Sequence, residues 1–208
     1  MSGSALVLDP SITLALLAAG QSRRFDGAKL EAMLGDRPLW HHAACAAERA
    51  GFRSRLLVCR AGASPAFARE GWRVVENPEA DRGIGSSIRA AVQASGAASR
   101  LVVMLADMPF VESRHLRALA LASETVFSRY PDGSGGVPAG FSRADFGRLT
   151  GLESGGAQQL AREGRGRALA PAEDRSLVDV DTRDDLARAR QIIAERGGGP
   201  PPKRPEGR

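Results

Sequence analysis

Four stretches in the first half of the chain are short and almost continuously apolar: Ile12–Ala19, Arg55–Cys59, Trp72–Val75 and Leu101–Ala106. A strand with one solvated face alternates apolar and polar residues; runs without that alternation predict strands buried on both faces of a parallel sheet. Helical patterns fill the intervals over Leu39–Ala50, Ser64–Glu70 and Ser86–Ser95, and a further helix is predicted at Ser113–Ala122. The alanines of the stretch HHAACAAERA favour helix, since they have no side-chain freedom to lose. Strand and helix taking turns predict an α/β fold: a single three-layer α/β/α domain around a Rossmann-like, mostly parallel sheet.

The second half is less regular. Strands are predicted at Thr125–Ser128, Gly136–Ala139, Arg167–Ala170 and Leu177–Val180, and helices at Arg143–Leu149, Gly156–Glu163 and Arg183–Glu195. Thr182 followed three residues later by Asp185 reads as a capping box that opens the last helix. Residues 1–11 read as a loose leader, 12–195 as the folded domain, and 196–208 as a disordered tail, because RGGGPPPKRPEGR has no apolar residue to anchor it. No internal repeat is present.

Composition narrows the function classes. The 208 residues are 43% hydrophobic and 25% charged, the balance of a soluble globular protein. The net charge of +5 comes from arginines scattered singly, with few aromatic platforms between them, so it predicts no nucleic-acid surface. Lys29 and Lys203 are the only lysines, which makes Lys29 the single ammonium in the predicted domain. Cys45 and Cys59 are too few for a disulfide framework and are not spaced for zinc. The apolar run at Ile12–Ala19 is too short to span a bilayer, and the residues before it lack the positive charge of a signal peptide. A cytoplasmic protein without membrane association is expected.

In open α/β sheets ligands bind at the carboxyl ends of strands, so the loops there come first. Leu17 and the segment Ala18-Ala19-Gly20-Gln21-Ser22-Arg23-Arg24-Phe25-Asp26-Gly27-Ala28-Lys29 follow the first strand. Small residues let a ligand approach the backbone, while Ser22, Arg24 and Lys29 supply donors and positive charge suited to a polyphosphate. The glycine spacing matches neither G-x-G-x-x-G nor the Walker pattern, which argues against an NAD-dependent oxidoreductase. Asp107, directly after the fourth strand, and Asp179 and Asp181, two residues apart near Thr182, are carboxylates of the kind that hold Mg2+ against phosphates. On a strand Asp179 and Asp181 would face one way, while Asp181 could equally be a helix cap. Asp81-Arg82-Gly83-Ile84-Gly85-Ser86-Ser87 opens a helix with amides and hydroxyls that could meet an anion or a base edge. His41, His42 and His115 lack metal-ligand spacing, no Ser–His pairing suggests a hydrolase, and Cys59 reads as a buried small hydrophobe.

Together these segments resemble the MobA-like nucleotidyltransferases, and within them the molybdenum cofactor cytidylyltransferase (MocA-like) branch. The resemblance runs from Ile12 to Glu195. Its strongest part is LAAGQSRRFDGAKL, Leu17 to Leu30, against L-A-A-G-x-S-x-R-[MF]-G-x-x-K-L; Asp81–Ile88, LADMPF at Leu105, PAGF at Pro138 and DVDTRDDL at Asp179 follow in the family's order. The resemblance implies a nucleotidyltransferase-type sheet and transfer of CMP from CTP to a phosphorylated acceptor, with molybdopterin the leading choice and pyrophosphate released. It implies that Leu17, Ala18, Ala19, Gly20 and Ser22 line the nucleotide and that Arg24 and Lys29 hold the triphosphate. Asp81, Gly85, Ser86 and Ser87 would meet the base and ribose. Asp107 would be the main ligand of Mg2+, or of Mn2+ in its place, with Asp181 or Asp179 second. Lys29, Arg24 and Asp107 would carry the catalysis. The form LAAG, rather than LAGG, is similar to the CTP-using branch. A molybdoenzyme or its chaperone would be the downstream partner.

The chain departs from the family pattern in two places. Asp26 stands where glycine is usual, and Gly151-Leu152-Glu153-Ser154-Gly155-Gly156-Ala157 replaces G-D-x-G-A, which bears on acceptor recognition. A GTP-using or sugar-phosphate nucleotidyltransferase and a non-catalytic cofactor-binding chaperone are the competing readings.

Overall fold

The structure, a computed structural model, describes residues 7–22, 24–25, 27–152 and 156–197. Its strands are β1 (Ile12–Leu17), β2 (Met33–Leu34), β3 (Arg37–Pro38), β4 (Ser54–Arg60), β5 (Arg73–Asn77), β6 (Arg100–Leu105), β7 (Val126–Arg129), β8 (Gly135–Ser142) and β9 (Arg167–Leu169). Its α-helices are α1 (Leu39–Arg49), α2 (Ile84–Ala94), α3 (Ser113–Leu121), α4 (Phe146–Thr150), α5 (Gly156–Arg162) and α6 (Arg183–Gly197). Seven strands form one sheet in the order β5-β4-β1-β6-β8-β7-β9, with β2 and β3 as a separate small hairpin. Within the large sheet β8 alone runs antiparallel to its two neighbours; the other pairings are parallel.

The continuous apolar runs become strands because each feeds two cores at once. On β1, Leu14 and Leu16 enter one core while Ala15 and Leu17 enter the other. Val102 and Met104 of β6 alternate with Leu101 and Val103 in the same way. Successive side chains on a strand point to opposite faces, so a strand covered by helices on both sides needs apolar residues at every position. Helices α1 and α3 cover the first face, α2, α4 and α5 the second, which makes the three layers.

A third, smaller core sits over the carboxyl edge of the sheet. Phe25, Leu34, Leu39, Phe110, Val180, Leu186 and Ala189 meet there, drawn from the loop after β1, strand β2, the start of α1, the turn after β6, and helix α6 with the chain before it. Burying these side chains against one another ties segments distant in sequence to one end of the sheet.

Several expectations are corrected. Ser64–Glu70 makes only a 3-10 turn over Ser64–Phe67 instead of a helix; from Ala66 to Glu70 only Phe67 is buried, so little apolar surface supports further turns. Leu177–Val180 is not a strand: a 3-10 turn at Asp174–Leu177 is followed by irregular chain whose Val180 N–H donates to the Asp107 carbonyl at 3.0 Å. The leader is packed from Leu8, which is 2% exposed and whose N–H donates to the Gly51 carbonyl at 3.0 Å; residues 1–6 and the tail from 198 lie outside the described residues. Among the described residues no helix is long and apolar enough to cross a membrane.

Candidate active site

At the carboxyl ends of the parallel strands lies a cleft of ≈ 490 Å3. Its first wall is the loop that β1 delivers. Ala18 is fixed to the sheet by its N–H, which donates to the Val58 carbonyl at 2.7 Å. Beyond it Gly20 faces space that no atom within 4 Å would deny to a Cβ, so the loop leaves room where a ligand would lie. Ser22 adopts φ 48° and its carbonyl accepts from Phe25 N–H at 2.9 Å, a turn that sends Phe25 into the third core. Arg24 and Lys29 line the cleft on this side. Arg23 and Asp26 lie outside the described residues, and with them the expected effect of Asp26.

The lysine is the hub of the site. Lys29 is only 6% exposed, and its Nζ donates to Asp107 Oδ2 at 2.7 Å and to Asp181 Oδ1 at 3.0 Å. Burial alone would lower its pKa, but the adjacent Asp107 and then Asp181 outweigh that and raise it, so the amine stays charged. Arg24 Nη2 pairs with the other oxygen of Asp181. Asp107 Oδ1 is buried and has no hydrogen-bond partner among the described residues. An ionised oxygen left in that state is costly unless something occupies it.

Asp181 is not the cap of α6. Asp185 Oδ2 accepts the N–H groups of Asp181 at 3.2 Å and Thr182 at 2.9 Å, while Asp185 N–H donates to Thr182 Oγ1 at 3.1 Å. The capping box closes on itself and frees the Asp181 carboxylate for the cleft. Asp179 is solvent-exposed and does not line the cleft. It still belongs to the same electrostatic neighbourhood: crowding on its inner side, then the carboxylates of Asp181 and Asp107, raise its pKa.

The opposite wall comes from the turn before α2. Asp81 and Ser87 line the cleft, together with Gly83, whose φ of 95° suits glycine. Gly85 and Ser86, expected at the site, lie behind this wall, both buried in the first turn of α2. Arg60 and Asn77, which sequence reasoning missed, stand at the ends of β4 and β5 as direct register partners. Arg60 Nη2 donates to Asp81 Oδ1 at 2.8 Å, and Asn77 Nδ2 donates to Ser86 Oγ and Ser87 Oγ at 2.9 and 3.1 Å. Gln21, Leu30 and Ile84 also line the cleft and were not foreseen.

Elsewhere, Ser128 Oγ lies 2.8 Å from His115 Nε2, a Ser–His pair that the sequence did not announce. Ser128 is fully buried and donates to the Pro138 carbonyl at 2.6 Å, so the pair is a packing device inaccessible to substrate. Cys59 is buried in the first core, as expected. Of Gly151–Ala157, residues 153–155 lie outside the described residues; Arg89 clamps the carbonyls of Thr150 and Leu152 to α2.

The model of the MobA-like NTP transferase domain matches residues 14–173. Rv0371c from Mycobacterium tuberculosis H37Rv is 32% identical, with 86% of this chain and 98% of that chain covered and a TM-score of 0.72. A complex of Rv0371c with manganese from the same organism is 31% identical, covering 86% and 97%, with a TM-score of 0.68. Molybdopterin-guanine dinucleotide biosynthesis protein A from Archaeoglobus fulgidus shares the fold at 20% identity, covering 88% and 99%, with a TM-score of 0.69. A search of curated proteins finds no match.

Proposed function

Because this chain belongs to the MobA-like NTP transferase family and is a nucleotidyltransferase, we propose that it moves CMP from CTP to a phosphorylated acceptor, with molybdopterin the leading candidate. The observation that carries the reading is the convergence of one ammonium and two carboxylates, Lys29, Asp107 and Asp181, on a cleft at the carboxyl edge of the sheet. In this reading the transferase unit runs over residues 12–195, in the cytoplasm, and its product passes to a molybdoenzyme or its chaperone.

The chemistry asks for positioning more than covalent help. An oxygen of the acceptor phosphate, already ionised at neutral pH, attacks the α-phosphorus; the α–β bridging bond breaks and pyrophosphate leaves with the electron pair. No strong general base is needed. Arg24 and Lys29 hold the triphosphate and neutralise charge on the departing group. Ala18, Ala19 and Gly20 let the nucleotide lie against the backbone.

A divalent cation fits the donor set. Asp107 presents a buried oxygen with no hydrogen-bond partner among the described residues, Asp181 a second carboxylate beside it, and one or two carboxylates with phosphate oxygens suit Mg2+ or Mn2+. When bound, that ion would draw charge from the phosphate oxygens. That Rv0371c, a relative 31% identical, is known in complex with manganese supports the use of a divalent metal.

A melting screen with CTP, GTP, ATP and UTP, each with Mg2+, tests the reading. A ligand at a hundred times its Kd stabilises by about 2.7 kcal/mol, so CTP is expected to raise the midpoint most. Pyrophosphate release with phosphorylated acceptors then separates molybdopterin from sugar phosphates. Binding of CTP without metal-dependent turnover would leave a cofactor-carrying chaperone instead.

A further inference from the structure

We propose that a second cavity, at the amino ends of β4 and β5, binds a small anion through its phosphate group at a site separate from the cleft. The proposal does not depend on the nucleotide reading. The cavity measures ≈ 410 Å3, within the size range of small-molecule sites. Ser54, which lines it, and Arg60, which reaches the cleft wall, stand at opposite ends of β4, about 20 Å apart at about 3.3 Å per residue.

Arg53, Arg55 and Arg73 line this cavity, and none of the described residues that line it is acidic. Arg55 is held on the α1 face of the sheet: its Nε donates to the Gly71 carbonyl at 3.1 Å, and its guanidinium lies 5.7 Å from the centre of the Trp72 ring. Gly71, at φ 73°, makes room for it, since a Cβ there would run into that guanidinium. Arg73 lies on the α2 face, where it donates to the Ala94 carbonyl and offsets the negative end of that helix. The Arg53 side chain is exposed and makes no hydrogen bond or ion pair among the described residues.

One carboxylate stands beside this group, and it is already shared. Glu48 accepts from Arg69 Nε at 2.8 Å, Arg69 Nη2 at 2.9 Å and Trp72 Nε1 at 2.8 Å, and its Oε1 lies 3.7 Å from Arg55 Nη1. Arg73 thus meets a neutral carbonyl, and Arg53 meets nothing. Like charges gathered in a concave site repel one another, and a multiply charged anion relieves that repulsion. A phosphate group carries about −1.5 to −2 at pH 7. Its tetrahedral oxygens also point several ways, which suits donors arriving from both faces of the sheet edge better than the single flat fork of a carboxylate does.

The test is calorimetric titration with pyrophosphate, ribose 5-phosphate and citrate. The cations of the cleft would attract the same anions, so Lys29→Ala is titrated beside wild type. In Lys29→Ala at least one of the two phosphate probes is expected to bind at one site, tenfold or more tighter than citrate. The tighter of the two tells whether the source is a free oligophosphate or a phosphate monoester. Adding Arg53→Gln or Arg73→Gln should weaken that binding about tenfold each, the scale of one charge-assisted hydrogen bond. Both side chains are exposed, so the fold should hold. Should Lys29→Ala fail to fold, wild type against Arg53→Gln/Arg73→Gln decides, since only the second site then loses affinity. Phosphate binding that survives both substitutions in full, or that is absent from Lys29→Ala, overturns the proposal. So does citrate binding as tightly as phosphate, or binding of hexaglutamate alone, which would make the patch a docking surface for an acidic protein segment.

Discussion

The two walls of the cleft are held by different physics. On the Lys29 side, full charges from three distant segments satisfy one another: an ammonium bridges two carboxylates and Arg24 shares one of them. On the Asp81 side, a neutral amide and a guanidinium at adjacent strand ends fix directional bonds to the turn above them. Charges held by other charges can be re-partitioned when a charged ligand arrives, since Coulomb attraction has little angular demand. Bonds that set donor against acceptor cannot be re-partitioned without reversing what the wall presents. On the proposed reading the first wall exchanges partners with phosphates, while the second keeps a fixed arrangement of donors and acceptors.

Kinetics offer the largest test of that contrast. Lys29→Ala and Asp107→Ala are each expected to lower kcat by about a hundredfold to a thousandfold, the scale of a lost group that stabilises charge in the transition state. The fold should survive: in Lys29→Ala the side chains of Asp107 and Asp181 left behind are 17% and 31% exposed, and in Asp107→Ala the buried Lys29 keeps its bond to Asp181. Arg60→Gln, by contrast, should raise KM for CTP while kcat stays nearly constant, with partial rescue in Arg60→Lys. Near-normal turnover in both first-wall variants would remove their assigned roles, and a collapse of kcat in Arg60→Gln would erase the distinction between the walls.

A smaller effect separates the walls without any nucleotide. Lys29 is buried between carboxylates that keep its amine protonated, so acylation of Lys29 in the folded protein should be slower than in the denatured chain. With Lys203 the only other lysine, peptide mass spectrometry reads the site directly. Asp107→Asn should speed the reaction, and Arg60→Gln should leave it unchanged. Equal rates in folded and denatured protein would deny the ion-pair cluster.

The same contrast explains what was legible in the sequence. Strands β1, β4 and β6 were visible because burial on both faces demands apolar runs, and the edge strand β5 through Val74 and Val75, each packed against one of the two cores. Lys29, Asp107 and Asp181 were visible because a lone lysine, an acid directly after β6 and an acid just before α6 stand out as charges in loops. Arg60 and Asn77 were not, since 16 positions separate them and only strand register makes them neighbours. Leu177–Val180 misled because Leu177 and Val180 are buried as a strand's would be, yet they cover the edge of the sheet without joining it. Ser64–Glu70 failed for want of apolar partners, a tertiary fact no local propensity contains.

The last prediction concerns the scaffold beneath both walls. No histidine lines the cleft, while burial depresses the pKa of His115 below its usual 6.5 in the folded state. The sign then follows: above pH 6.5 both folded and unfolded chains hold it neutral, and stability is unaffected. As pH falls through 6.5 toward the depressed folded value, the unfolded chain takes up the proton first, and folding loses at most about 1.4 kcal/mol per pH unit from this residue. His41 and His42 are shifted downward too, first by burial, and add to the loss in the same direction. Melting midpoints measured from pH 7.5 to 5.5 should therefore decline, and His115→Gln should make the decline shallower by its share. An unchanged slope in that variant would show that His115 accepts its proton without cost to the fold, and the buried bond to Ser128 would then have to be looser than its 2.8 Å implies.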